Sequence, residues 1–220
     1  MRKKNIKRRV AVLLSVLISV VLVMAIVLIK EINKINACTY DYRENLIRFH
    51  VIANSDSEKD QALKLKVRDA VIDYLKPKLE NSMSIEESER IIKGEYDNLE
   101  KISKNIISDN GYNYNVEVGL QYSNFPAKQY SSVVLPSGKY KALKVVIGEG
   151  KGKNWWCVMF PPLCFVDEES GVIDEKTDKK LQEVLTPEEY DLIMAKNKTE
   201  VEDLKFKFKI IEVLQGVLKS

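Results

Sequence analysis

The chain has 220 residues, a formal net charge of +3, 45% hydrophobic side chains and three cysteines, enough for one domain with an appendage. The charge is unevenly placed. Residues 1–34 hold eight basic and one acidic side chain, leaving 27 basic against 31 acidic over the rest, a balance that argues against nucleic-acid binding, while three cysteines are too few for a disulfide scaffold.

Val10 to Ile29 contains only two polar side chains, Ser15 and Ser19. As a helix it would span about 30 Å, the thickness of a bilayer core. Arg2, Lys3, Lys4, Lys7, Arg8 and Arg9 precede it, so the N-terminus is expected in the cytoplasm and everything after about Lys30 outside it. A cleaved signal peptide is the competing reading. Ile35 and Ala37 make a poor cleavage site, and the apolar run exceeds the roughly 7 to 15 residues of a signal core, which favours a single-pass anchor. The charged Lys30–Lys34 segment argues against lipidation at Cys38, which is expected as a free thiol near the membrane.

A polar connector, Asn33 to Arg43, leads to a strand at Leu46 to Ala53, with Leu46, Arg48, His50 and Ile52 on one face and Ile47, Phe49, Val51 and Ala53 on the other. Ser57 with Asp60 resembles a capping box. It opens an amphipathic helix, Ala62 to Leu75, whose stripe is Leu63, Val67, Ala70, Val71 and Tyr74; Pro77 should stop or bend it. A second helix is predicted from Ile85 to about Ser108, on the seven-residue recurrence of Ile85, Ile92, Leu99 and Ile106.

Val116 to Tyr122 alternates as a half-buried strand, and Ser132 to Leu135 reads as a short edge strand. Tyr140 to Ile147 is apolar on nearly both faces and is expected to be central, with Trp155 to Phe160 returning as its antiparallel neighbour. Thr186-Pro187-Glu188-Glu189 starts a helix strongly, and Thr199 with Glu202 repeats the device. The wide apolar face of Val201 to Leu218 is expected to pack on the body, with membrane or partner contact as the alternative. The resulting fold class is α+β: an N-terminal transmembrane or signal helix, a mostly antiparallel sheet packed by two long helices, and a C-terminal helical tail. The divisions are residues 1–34, 35–170 and 171–220.

The stretch from Gly148 to Asp167 stands apart. It holds both tryptophans, two of the three cysteines and three of the nine glycines. Gly148-Glu-Gly-Lys-Gly-Lys lacks the ending of a P-loop, and its glycines fit a sharp hairpin instead. Pro161-Pro162 forbids helix or central strand. Cys157 and Cys164 are a disulfide candidate closing an eight-residue loop, worth roughly 2 to 3 kcal/mol; two buried free thiols are the alternative. Trp155 and Trp156 should face opposite ways, one to the core and one to the surface. Aromatic residues beside a lysine-bearing loop form a plausible contact patch.

His50 is the sole histidine. It is read as a half-buried structural or interface residue, with an exported hydrolase using His50 and Ser55 or Asp56 as the rival. The cysteine spacing fits no common zinc module, and no carboxylates pair for acid–base work. Neither catalysis, metal, cofactor nor small-molecule substrate is expected.

Leu46-Ile-Arg-Phe-His-Val-Ile-Ala-Asn-Ser-Asp56 with Asp60-Gln-Ala-Leu-Lys-Leu-Lys-Val-Arg-Asp-Ala-Val71 resembles the start of the stage II sporulation protein R family. Leu135 to Leu143 and Val145 to Asp167 resemble its second signature. The resemblance implies an intercellular signal of endospore-forming bacteria, exported from the forespore into the space between two membranes. There it would trigger a membrane-bound aspartic protease of the mother cell that processes the sigma-E precursor. The resemblance supplies no site residues. Those expected to make or frame the contact are, from the residues alone, His50, Asn54, Asp56, Lys151, Lys153, Asn154 and Trp155. A structural envelope protein is the third reading.

Overall fold

The computed structural model describes residues 12–27, 29–30, 42–165, 173–195, 202–206 and 208–210. It divides into two units, residues 1–40 and 41–220. In the first, residues 12–27 and 29–30 are helical. Among the described residues no helix is long and apolar enough to cross a membrane; Val10, the connector after Lys30 and Cys38 lie outside them.

The second unit is built on a four-stranded sheet. Its strands are β1 (Ile47–Ile52), β2 (Val116–Phe125), β5 (Gly138–Ile147) and β6 (Asn154–Phe160), in the order β2-β5-β1-β6. A separate hairpin pairs β3 (Lys128–Tyr130) with β4 (Val133–Leu135), turning at Ser131 with φ of 53°. The helices are α1 (Glu58–Leu79), α2 (Ile85–Gly94), α3 (Tyr96–Asp109), α4 (Glu175–Val184) and α5 (Pro187–Ile193).

One expectation about the sheet is corrected. β6 pairs antiparallel with β1 rather than with β5, and β1 runs parallel to β5. Most pairings are still antiparallel, but the sheet is mixed. The cause is that β1 is buried along both faces, Arg48 and His50 included, so it takes a central position and leaves the edge to β6.

The helices also differ from expectation. Pro77 sits inside the last turns of α1, which runs on to Leu79. The single helix expected over Ile85 to Ser108 is broken at Glu95, which leaves the helical region at φ −107°, ψ 5°. Gly94 has low helix propensity, and the Glu95 carboxylate accepts hydrogen bonds from Tyr74 and Asn98 and an ion pair from Lys78. Held by α1 in this way, Glu95 has its carboxyl pulled down to about 2, chiefly by Lys78 and then by Tyr74 and Asn98.

Helices α1 to α3 cover one sheet face. Leu63, Val67, Val71 and Leu75 of α1 join Phe49, Val51, Leu143 and Val145 in the core. Side-chain bonds bind the layers: Tyr96 accepts the Leu120 amide at 2.7 Å, and Lys141 pairs with Glu89. Ile173, Leu181, Leu185 and Ile193 join the same core. The expected packing of the last helix on the body holds for its described part, since Phe208 is buried against Val134 and Ala195.

Candidate functional site

The residues singled out from the sequence gather at one end of the sheet, where the loop after β1 meets the loop before β6. The main-chain N–H groups of Lys151 and Gly152 donate to the carbonyls of Asn54 and Ala53 at 3.2 and 2.9 Å. Asn54 Oδ1 accepts the Glu149 amide at 3.0 Å, and Asp56 Oδ1 accepts the Lys153 amide at 2.7 Å. Lys64 of α1 donates to the Lys153 carbonyl at 3.1 Å. The glycines are required by this closeness: a Cβ on Gly152 would lie 2.2 Å from the Ser55 carbonyl oxygen.

Asp60 is the centre of the junction, and the sequence reading assigned it only a capping role. Ser57 Oγ does cap the helix by accepting the Asp60 amide. The Asp60 carboxylate, however, accepts from Ser55 at 2.6 Å, Asn54 at 2.9 Å and Tyr114 at 3.2 Å. Led by the Ser55 bond, these outweigh desolvation and hold its carboxyl below the usual range. A carboxylate one turn from two hydrogen-bonding loop residues was the only sequence signal.

Asn54 and Asp56 are therefore framework residues. Asn154 joins them through His50: its Oδ1 lies 3.0 Å from His50 Nδ1, which places the imidazole proton on Nδ1. His50 stacks on Trp156, with centroids 5.1 Å apart and planes at 4°. Its pKa is pushed down to about 4 by burial, helped by the charges of Lys144 and Arg48. The ring is neutral at physiological pH.

Trp155 and Trp156 do face opposite ways, but both are half-buried rather than one core and one surface. Trp155 meets the edge of Phe49 at 5.7 Å and carries the Arg68 guanidinium at 4.9 Å. Trp156 packs on Phe125 at 4.7 Å. Lys151 and Lys153 carry their side chains outward. Both are exposed, Lys151 paired with an equally exposed Glu149.

Cys157 and Cys164 are free thiols. Both approach the Val158 carbonyl, Cys164 Sγ at 2.8 Å and Cys157 Sγ at 3.9 Å, and burial pushes the Cys164 thiol well up.

These atoms assemble no catalytic relay. Ser55 gives its hydroxyl to Asp60, Asp56 accepts from the Lys153 amide, and His50 faces Asn154. Among the described residues no group of three His, Cys, Asp or Glu side chains is placed to hold a metal ion. A cavity of about 440 Å³ lies elsewhere, between Lys76, Met83, Pro162 and Thr177, and contains none of the expected site residues.

The sequence matches the family model for stage II sporulation protein R over residues 43–170. It is similar to the stage II sporulation protein R of Bacillus subtilis (strain 168), with 37% identity over 154 residues, covering 70% of this chain and 69% of that protein. No solved structure matches it.

Proposed function

Because the chain belongs to the stage II sporulation protein R family, a family of sporulation signalling proteins, we propose that it is the exported signal that activates a membrane-bound aspartic protease, which then processes the sigma-E precursor. The N-terminal segment, Val10 to Ile29, holds the N-terminus in the cytoplasm as a single-pass anchor or is cleaved. The body then lies in the space between forespore and mother cell. It acts by binding the outward face of the protease more tightly in its active arrangement than in its inactive one, which is all that activation by a ligand requires.

The observation that favours contact over catalysis is the junction itself. Asn54, Asp56, Asn154 and His50 are spent on fixing the lysine-bearing loop, so that Lys151 and Lys153 stand on a rigid mount. A rival hydrolase reading needs His50 to act with Ser55 or Asp56, and each of the three is bonded elsewhere.

The test is reconstitution. The purified chain is added to membranes carrying the protease, and cleavage of the precursor is followed. Cleavage that depends on the chain supports the proposal; a structural envelope protein leaves the precursor intact. A His50→Ala chain that folds and still signals removes the hydrolase.

A further inference from the structure

On the sheet face turned away from α1, α2 and α3, one row of cross-strand partners runs across all four strands. Gly119 of β2 lies beside Lys144 of β5, Lys144 beside His50 of β1, and His50 beside Trp156 of β6. To one side the face is closed by Phe125 and Tyr130 around Arg48. To the other Gly150 closes it, where a Cβ would fall 2.6 Å from Val146 Cγ1. The row between is left half-exposed at Gly119, Lys144 and Trp156.

Two features of this row have no explanation among the described residues. Gly119 sits mid-strand, where glycine weakens a sheet. The β2–β5 register passes through it without a bulge, its φ is not left-handed, and a Cβ there would meet nothing within 4 Å. The Lys144 ammonium is half-buried and has no ion pair or hydrogen bond with any described residue, whereas Lys64 and Lys141 on the other side are bonded. Between them His50 is 3% exposed, and its Nε2, itself buried, has no partner among the described residues.

We infer that this row is the docking surface for a segment of a protein partner that lays its backbone over Gly119 and sets a carboxylate on Lys144. A missing side chain admits a close backbone, a cation in apolar surroundings gains most from a charge-assisted bond, and Trp156 supplies the flat apolar floor favoured at interface centres. The inference rests on the reading above that the chain works by touching a protein. It adds the sheet face to the contact made by the Lys151–Lys153 loop.

The test replaces the native gene in sporulating cells with Gly119→Trp, Lys144→Glu and Lys144→Arg. Chain accumulation, spore yield and precursor cleavage are followed. Gly119→Trp and Lys144→Glu should accumulate normally and lower spore yield about tenfold or more, while Lys144→Arg sporulates as wild type. Normal yield from both variants overturns the surface. Normal yield from Lys144→Glu alone overturns the carboxylate. Should Gly119→Trp fail to accumulate, Lys144→Glu decides. Spore yield judges the surface even where wild-type cells sporulate without cleaving the precursor, a result that sinks the protease reading instead. Sedimentation of the purified chain covers the remaining occupant: a dimer dissociated by Gly119→Trp identifies a second copy and overturns the acidic partner.

Discussion

Asn54 and Gly148 are fitted to each other across the loop junction. The Asn54 side-chain oxygen accepts the neighbouring Glu149 amide at 3.0 Å, and a Cβ on Gly148 would fall 2.3 Å from that same oxygen. Gly148 also has φ of 59°, where a side chain is disfavoured. Gly148→Ala should therefore cost about 1 to 3 kcal/mol, read from urea unfolding. Part of that cost is the clash with Asn54. Asn54→Ala combined with Gly148→Ala should thus lose less than the sum of the two single changes; strict additivity would show that the fit has no energetic weight.

The loop lysines and Trp155 should separate in mutagenesis. The Lys153 side chain is exposed, while its contribution to the junction comes from its backbone N–H and C=O. Lys151→Glu with Lys153→Glu should stay within about 0.5 kcal/mol of wild type in stability and slow precursor cleavage if the loop touches the partner. Trp155→Ala removes the contacts to Phe49 and Arg68, so its melting temperature should drop. A loss of signalling in that variant would then report folding, not contact.

The buried imidazole predicts an acid dependence of stability. The His50 pKa is about 4 in the folded chain against an ordinary value of 6.5. Between those values the unfolded state binds more protons. Stability is therefore full above pH 6.5 and falls as the pH is lowered through the window, by about 3 kcal/mol for a shift of this size. In His50→Gln the same titration, followed by urea unfolding at each pH, should be flatter by that amount between pH 6.5 and 4. Parallel curves for the two proteins would mean that the ring is charged in the fold.

Arg48 is fully buried and has no carboxylate partner among the described residues. Its guanidinium lies 4.0 Å from the Phe125 ring centre and 4.8 Å from that of Tyr140, and it donates one hydrogen bond of 2.6 Å to Tyr130. Its Nε and Nη1 have no partner among the described residues. Replacing a buried charge by an apolar side chain of similar volume is often neutral or stabilising, so Arg48→Met should hold or raise the melting temperature. A fall of several degrees would show that the aromatic contacts outweigh the desolvation of the charge.

Local pattern was enough for much of this molecule. The stripe of Leu63, Val67 and Val71, the caps at Ser57 and Thr186 and the central position of Tyr140 to Ile147 all follow from spacing, because a helix or strand face is decided by residues a few positions apart. The matching of β6 to β1, the burial of Arg48 and His50 and the convergence of Asn54, Ser55 and Tyr114 on Asp60 do not follow from it. In the sequence Arg48 is only the charged member of a strand face shared with Leu46, His50 and Ile52. It is buried because Tyr130, 82 positions away, and the Phe125 and Tyr140 rings close over it. Likewise, Gly119 reads in the sequence as one of the small residues of an alternating strand, and only its unbroken register beside a Lys144 without an ion pair among the described residues makes it an opening. Sequence periodicity records which way a side chain points along its own element. What it points at is settled by pairings between distant segments, whose energies exist only once the chain has folded.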